Sequence, residues 1–282
     1  MRFKVMLFRY IFCVILSFNI AFAYKCYESY CSHFGIGSGV AYANFKAGGM
    51  PDFNNIGGYL SAFTNYYSKR LAFNYDLQVG LFNVAQSGYI QGLNNINSQD
   101  RMGGFVLMDL NAGFNLGSLD KPILLTLSLP VNMYNLGWNV AQRLSSEAVF
   151  LGFNLYSNTK LTERFMLSYQ LGYSYCVSGR YRIDSYANIA TLKGGHRLLF
   201  NLNLLYKREN AESSFTNKDK ADFYASLKGI YYMLEPSNTI HINNTPLHYN
   251  ASNNLMLTLE FGVSFGIPPM SSKDFTRKSP YL

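Results

Sequence analysis

The sequence carries few charged residues for its length. Asp, Glu, Lys and Arg make up 14% of its 282 residues, whereas a soluble protein carries about a quarter. Beyond the N-terminal stretch, no apolar run approaches the ~20 residues that a membrane-crossing helix needs. The cationic residues form no stripe with interleaved aromatic residues, so nucleic acid is a poor candidate partner. These absences argue against an ordinary soluble domain, a helical membrane protein and a nucleic-acid-binding protein.

Cysteine is also scarce, with four in the chain. No His or acidic residue lies beside them at the spacing of metal ligands, so the sequence predicts no zinc site and no cofactor. Cys26 and Cys31 are near enough in sequence to close a small disulfide loop in an oxidising compartment. Free thiols without a role are the alternative. In either case Cys176 is left over.

The N-terminus has the features of a secretory leader. Arg2, Lys4 and Arg9 precede the apolar stretch 10–16, and Ala21-Phe22-Ala23 supplies small residues for cleavage. The pattern predicts a signal peptide over residues 1–23. The formal charge is +8, from 24 basic and 16 acidic residues. Three of the basic residues lie in the leader, which leaves 21 and a mature charge of about +5.

Aromatic residues and alternating segments are abundant. In the last apolar segment, every odd position from Leu255 to Phe265 is apolar, while Thr258, Glu260, Gly262 and Ser264 are polar or small. This period of two predicts a strand, and ~9 to 11 residues is the length with which a tilted strand crosses a bilayer. Ten segments show this character: 35–45, 56–66, 71–82, 105–116, 123–134, 148–157, 165–175, 196–206, 223–233 and 255–266.

The ten segments predict an all-β fold, a closed antiparallel transmembrane β-barrel. Such barrels have an even number of strands, short periplasmic turns and longer extracellular loops. The connections at 67–70, 117–122 and 158–164 are short, those at 46–55, 83–104, 135–147, 176–195 and 234–254 are mostly longer, and 207–222 is a long exception. Eight strands is the alternative if residues 35–66 form a plug or loop. The expected order is a periplasmic segment at 24–34, the barrel at 35–267 and a periplasmic tail at 268–282.

The polar positions of the strands are mostly Asn, Ser, Thr, Gln and Gly. A soluble barrel with a solvated polar face would carry many Lys and Glu instead, so we expect a cramped, hydrogen-bonded lumen. Aromatic residues concentrate toward strand ends and predict two girdles at the membrane surfaces. The predicted outer girdle comprises Tyr134, Tyr173, Tyr175, Tyr231 and Tyr232, and the inner one Phe165, Tyr206, Phe223 and Phe265.

Over residues 24–267 the chain resembles bacterial outer-membrane β-barrel proteins, especially small ones of host-associated Gram-negative bacteria. The most specific element is Glu260-x-Gly262-x-x-Phe265-x-Ile267, which is similar to the C-terminal assembly signal of that class. The resemblance implies an outer-membrane location, contact with membrane lipid and lipopolysaccharide, and recognition by the barrel assembly machinery. The signal normally ends the chain, whereas residues 268–282 follow it here.

No catalytic arrangement is evident in the sequence. Barrel phospholipases have a His-x-Ser arrangement on one strand, and ten-stranded surface proteases have paired aspartates with an Asp-His pair. His33, His196, His241 and His248 fit neither pattern. A triad assembled from distant residues stays open, because spatial neighbours need not be neighbours in sequence.

Five charged residues fall on the polar faces of the strands: Asp76, Asp109, Arg197, Lys228 and Glu260. We expect Lys228 directly opposite Glu260, and Asp76 near a diagonal to Asp109 on the neighbouring strand. They form either a polar constriction or, as we favour, a side-chain network that fills a narrow lumen.

The function that the sequence favours is a non-enzymatic surface protein. Its outer loops would bind a host or environmental partner, or the barrel would support the envelope. A narrow pore for ions or small solutes is the first alternative. A barrel enzyme that acts on lipid or peptide is the second.

Overall fold

The computed structural model describes most of the strand-forming part of the chain. The described residues are 25–26, 30–47, 52–87, 101–136, 144–162, 164–183, 189–207, 222–242 and 245–266. The predicted leader at 1–23 and the predicted tail at 268–282 lie outside them. Within the described ranges, no helix is long and apolar enough to cross a membrane.

Ten long strands form the barrel wall. They are β1 Tyr30–Ala47, β2 Asp52–Ser68, β3 Leu71–Ser87, β4 Arg101–Asn115, β5 Ile123–Leu136, β6 Leu144–Lys160, β7 Phe165–Ile183, β8 Gly195–Tyr206, β9 Asp222–Leu234 and β10 Ser252–Gly266. Short strands at Lys25–Cys26, Ile189–Thr191, Ile240–Ile242 and Thr245–Leu247 lie outside this wall. Each predicted segment corresponds to one wall strand, so ten strands is confirmed and the alternative of eight is wrong.

Every wall strand pairs antiparallel with its neighbours in the chain. The ring closes because β1 pairs with both β2 and β10, for example at Tyr42, which lies opposite Ile56 on one side and Leu257 on the other. The fold is therefore a closed β-barrel in which each wall strand has a partner on both sides.

The two ends of the barrel differ in their connections. The turn end carries the connections 69–70, 116–122, 161–164 and 207–221. The first residue of β1 and the last residue of β10 also lie there, and it is the predicted periplasmic end. At this end, Ser68 Oγ accepts hydrogen bonds from the N–H groups of Arg70 and Leu71, at 3.2 and 2.9 Å. Asn115 Oδ1 accepts from Gly117 and Ile123 in the same way. Such side-chain acceptors stabilise tight turns.

The loop end, which is the predicted extracellular end, carries the connections 48–51, 88–100, 137–143, 184–194 and 235–251. Several strands extend further toward this end than their sequence pattern predicts. Strand β7 is the clearest case, because it continues to Ile183 instead of ending near Tyr175. A register shift between Val149 and Phe150 of β6 places them opposite Ser178 and Cys176, which leaves Val177 as an extra residue. On the loop-end side of this bulge, the positions of β7 that would have pointed inward point outward, and the reverse.

The outward face of the wall is a continuous apolar surface. Exposed residues such as Leu60, Leu127, Phe153, Leu171 and Phe261 recur at every second position. This arrangement is typical of a wall that contacts lipid. The girdle prediction was only partly right. Tyr173, Tyr175 and Tyr231 are exposed as expected, and so are Phe165 and Phe223 at the turn end.

Tyr134 and Tyr232 are instead buried in the lumen, so their assignment to the outer girdle was wrong. Their strand positions share a face with Thr126 and Lys228, which are also buried. The alternation of the strand therefore turns both rings inward, and the two hydroxyl groups lie 3.1 Å apart.

Candidate functional site

A layer of charged side chains crosses the lumen near mid-height. Asp76 of β3 lies directly opposite Asp109 of β4, so the predicted diagonal relation was wrong. The first paired residues of the two strands are Leu71 and Phe114. Asp76 and Asp109 each lie five positions from that pair, so the two carboxylates face each other. Like charges in directly opposite positions repel. The layer therefore needs cations from elsewhere in the barrel.

Arg197 of β8 and Lys228 of β9 supply those cations from across the lumen. Nη2 of Arg197 lies 2.9 and 3.0 Å from the two carboxylate oxygens of Asp109. Nζ of Lys228 lies 2.9 Å from an oxygen of Asp76 and 3.5 Å from one of Asp109. The side chains of Arg197 and Lys228 are 1% and 3% exposed. Buried ion pairs of this kind depend strongly on both partners being present.

Glu260 does not pair with Lys228, and the predicted direct opposition of these residues was wrong. Lys228 lies opposite Thr258, and Glu260 lies opposite Ser226, so the register differs by two residues from the predicted one. The difference arises because β10 begins at Ser252, with polar residues that the sequence pattern placed in the loop. Glu260 is still buried in the lumen.

The carboxylate of Glu260 is held by neutral donors. The hydroxyl of Tyr224 donates to Oε1 at 2.5 Å, and Nε2 of Gln78 donates to Oε2 at 3.4 Å. Three acidic and two basic residues therefore occupy this layer among the described lumen residues, which gives it a formal charge of −1 when all five are ionised.

A polar cavity of about 50 Å³ adjoins the charged layer on its turn-end side. Its walls include Asn74, Asn111, Asn201 and Ser226. Ser226 Oγ donates to Asn201 Oδ1 at 2.9 Å, while Asn154 Nδ2 donates to Asn111 Oδ1 at 2.6 Å. A space of this size and polarity accommodates a few water molecules.

Two clusters of apolar side chains narrow the lumen at its turn end. One contains Cys31, Tyr67, Ala72, Leu124 and Tyr156. The other contains Phe63, Met166, Leu205 and Tyr224. These clusters lie between the cavity and the turns.

The loop-end half of the lumen is filled by a larger apolar cluster, which we call the loop-end seal. It includes Phe82, Phe105, Leu107, Tyr134, Phe150, Leu199, Ile230, Tyr232 and Met256. The rings of Phe82 and Phe105 stack with centroids 4.6 Å apart, and those of Phe150 and Tyr232 are tilted with centroids 5.8 Å apart. A wide open channel is therefore absent from the described barrel.

The sequence interpretation missed the loop-end seal, although a signal for it exists. On β4 the inward residues run from Phe105 and Leu107 near the loop end to Asp109 and Asn111 nearer the turn end. On β9 they run from Tyr232 and Ile230 to Lys228 in the same sense. An inward face that changes from apolar to polar along several strands marks a lumen with two unlike halves.

A folded structure closes the loop end above the seal. This loop-end cap comprises residues 235–242 and 245–251 and the short strand Ile189–Thr191. Asn238 N–H donates to Thr191 O at 2.9 Å, and Tyr249 N–H donates to Ser237 Oγ at 2.8 Å. Tyr249 stacks on Tyr181 with centroids 3.9 Å apart. Burial and the neighbouring Tyr181 raise the pKa of Tyr249 well above its usual value.

Strand β1 presents very small residues to the lumen. Gly35, Gly37, Gly39, Ala41 and Ala43 occupy its inward positions. A Cβ atom at Gly35 would lie 2.3 Å from the ring of Phe63, and one at Gly37 would lie 2.3 Å from the hydroxyl of Tyr224. The missing side chains therefore leave room for large rings from β2 and from β9, which is two strands away.

The four histidines lie in unlike places. His33 is buried at the turn end, where Nε2 is 2.9 Å from Asn65 Nδ2. His196 lies on the outward face, and its Nδ1 is 2.8 Å from the hydroxyl of Tyr173. His241 and His248 are exposed in the loop-end cap. No group of three or more His, Cys, Asp and Glu residues in the described ranges is arranged to hold a metal ion.

The other predicted site residues that the structure describes lie at the turn end. Cys31 takes part in a disulfide, and Cys26 lies directly opposite it on the short strand Lys25–Cys26. The pairing of these two cysteines stays a prediction. Gly262 and Phe265 lie in β10, which ends at Gly266. Ile267, the last residue of the predicted assembly signal, is outside the described residues.

No protein-family model and no curated protein matches this sequence. Among solved structures, the outer-membrane protease OmpT of Escherichia coli is similar, with 11% identity, a TM-score of 0.55, and coverage of 89% of this chain and 99% of that one. The outer-membrane protein OprG of Pseudomonas aeruginosa gives 10% identity, coverage of 88% and 99%, and a TM-score of 0.38. At this identity, the likeness to OmpT concerns the fold alone. The fold is that of bacterial outer-membrane β-barrel proteins.

Proposed function

We propose that the protein is a non-enzymatic outer-membrane surface protein whose loop-end cap binds a partner outside the cell. The observation that carries the proposal is the combination of a filled lumen and a folded cap. The loop-end seal obstructs passage through the barrel, while hydrogen bonds between Ser237 and Tyr249 and from Asn238 to Thr191 fix the base of the cap. A surface held on a rigid scaffold is well suited to recognition.

The proposal extends to export and assembly. Residues 1–23 would direct export and be removed, residues 24–29 and 268–282 would lie in the periplasm, and 30–267 would form the barrel, because β1 begins at Tyr30 and not at the expected residue 35. The apolar outward face would contact outer-membrane lipid and lipopolysaccharide. Glu260, Gly262, Phe265 and Ile267 would present the signal that the barrel assembly machinery recognises.

A binding assay tests the role of the cap. Cells without adhesins of their own would display either the wild type or a variant in which residues 239–248 are replaced by a short Gly-Ser linker. The variant keeps Ser237 and Tyr249, so the base of the cap is preserved. We expect the wild type to increase adherence to cultured epithelial cells or matrix-coated surfaces, and the variant to lose that increase at equal surface expression. Equal adherence of the wild type, the variant and cells with empty vector would contradict the proposal.

A narrow pore is the second candidate, and the observation that favours it is the polar cavity beside Asp76 and Lys228. Planar-bilayer recording of purified, refolded protein separates the two. We expect no discrete conductance steps from the wild type, because the apolar cluster blocks a continuous aqueous path. Circular dichroism of the same sample verifies that the barrel is folded. Reproducible steps from folded wild type would replace our proposal with the pore.

A further inference from the structure

We propose that the lumen cavity binds one monovalent cation, sodium in particular, between Glu260, Gln78 and Asn74. The site is independent of the loop-end cap, and the proposed function neither requires nor predicts it. The argument rests on the charge of the layer, on two buried oxygen atoms without hydrogen-bond donors, and on the space beside them.

The charge of the layer is the first step. Asp109 is neutralised by Arg197, and Asp76 by Lys228, at distances of 2.9 Å. Glu260 receives only neutral donors, Tyr224 and Gln78. An ionised carboxylate in a closed interior is costly unless a positive charge lies near it. One additional positive charge would bring the formal charge of the layer to zero.

Two amide oxygens provide the second step. Oε1 of Gln78 and Oδ1 of Asn74 find no hydrogen-bond donor among the described protein groups, although their residues are only 3% and 6% exposed. Gln78 already directs its amide nitrogen at Glu260, which leaves its oxygen as an acceptor. Both side chains line the cavity. Buried polar atoms without a partner in a native structure call for one.

The chemistry of these atoms selects the ligand. Carboxylate and amide oxygens are hard ligands that suit hard cations, and they do not suit transition metals. A divalent ion would overcompensate the formal charge of −1 and would lie close to the ammonium group of Lys228. The volume of about 50 Å³ holds one ion with a few water molecules. A monovalent alkali cation satisfies the charge, the oxygen ligands and the space together.

Equilibrium unfolding in urea tests the proposal on the full-length mature protein folded in detergent micelles. Sodium chloride is compared with choline chloride at equal concentration, because choline supplies the same ionic strength and is too large for the cavity. We expect sodium to stabilise the wild type in a saturable way. The unfolding equilibrium constant should fall about tenfold when sodium is at ten times its dissociation constant.

Three variants locate the effect. Glu260→Gln keeps the shape of the side chain and should abolish the difference between sodium and choline. Gln78→Met removes the amide oxygen at similar volume and should weaken it. Glu147→Gln is the matched control, because this carboxylate lies outside the lumen and pairs with Arg180, and the sodium effect should persist.

Sodium NMR line widths supply a readout that does not depend on unfolding. Folded wild type should broaden the sodium line, and Glu260→Gln should not. Equal stability of the wild type in sodium and choline, or a sodium effect that survives in Glu260→Gln, would overturn the proposal. Greater stability of Glu260→Gln than of the wild type in both salts would also overturn the proposal, because a bound sodium ion should make the carboxylate of Glu260 favourable.

Discussion

The two halves of the lumen are filled by different chemistry, although the same ten strands form both. Toward the loop end, the rings of Phe105, Phe150 and Tyr232 pack into an apolar cluster. Toward the turn end, Asn, Ser and charged side chains surround a polar cavity. The difference teaches that period-two alternation determines which residues point inward. It does not determine whether those residues are polar or apolar, and their polarity changes along the barrel axis.

This division separates two tasks. The loop-end seal excludes water below the surface that we propose to bind a partner. The charged layer connects strands on opposite sides of the barrel, because Asp109 of β4 pairs with Arg197 of β8. A substitution in the charged layer should therefore expose an unpaired charge, whereas one in the loop-end seal should leave an empty space.

Loss of the shared carboxylate should have the largest effect. Asp109→Ala leaves Arg197 without its carboxylate and leaves Lys228 with Asp76 alone. We expect the free energy of unfolding to fall by about 3 to 5 kcal/mol, because breaking a buried pair strands a charge in the interior. Urea unfolding of the detergent-folded protein measures the change.

Asp76→Ala is the matched control for that substitution. Lys228 would keep a contact with Asp109 at 3.5 Å, and the side chain of Asp76 is more exposed, at 28%. We expect a smaller loss. If the two alanine variants were equally destabilised, Asp109 would not have the shared role that its contacts indicate.

Truncation in the loop-end seal should have the next largest effect. Phe150 is fully buried and packs against Tyr232. Phe150→Ala should lower the free energy of unfolding by about 3 kcal/mol, through lost apolar burial and the cavity left behind. Phe150→Leu retains most of the volume and should cost clearly less. Thermal or urea unfolding of both variants decides the point, and equal losses would argue against a tightly packed seal.

The small-residue face of β1 predicts an intermediate effect. Gly35→Ala places a Cβ atom against the ring of Phe63, which also packs on His33 and Tyr224. We expect a loss of about 1 to 3 kcal/mol from overpacking. Gly58→Ala is the control, because the nearest atom to its Cβ would be 3.7 Å away. Its stability should change by less than about 0.5 kcal/mol, and a comparable loss at both glycines would contradict the explanation.

The sequence was sufficient for the number of strands and for the face of each charged residue, because a period of two is a local pattern. It was insufficient where the pattern is interrupted. The extra residue Val177 reverses the alternation of β7, so the strand beyond Tyr175 resembled a loop in sequence. Polar residues at Ser252 and Asn254 concealed the start of β10 in the same way, and the register of Lys228 against Glu260 was wrong by two residues.

The ion pairs could not be predicted from neighbouring strands. Lys228 contacts Asp76 and Asp109, which lie on β3 and β4, whereas Lys228 is on β9. Which side chains meet across the lumen depends on the diameter of the closed barrel and on the relative heights of distant strands. A local sequence pattern determines neither the diameter nor the relative heights of the strands. Pairing by opposite positions on neighbouring strands therefore predicted Glu260 as the partner of Lys228, whereas its actual partners lie on the opposite side of the barrel.

The smallest predicted effect concerns a polar contact between two tyrosine hydroxyls in the loop-end seal. The hydroxyls of Tyr134 and Tyr232 lie 3.1 Å apart, and the hydroxyl of Tyr134 also lies 3.5 Å from Sδ of Met256. Tyr134→Phe or Tyr232→Phe leaves the other hydroxyl without this partner and should cost about 1 kcal/mol. The double variant removes both polar groups, so we expect it to lose less than the sum of the single variants. A double-mutant cycle from urea unfolding measures this coupling. Strict additivity would mean that the two hydroxyls do not depend on one another, and it would argue against a hydrogen bond between them inside the loop-end seal.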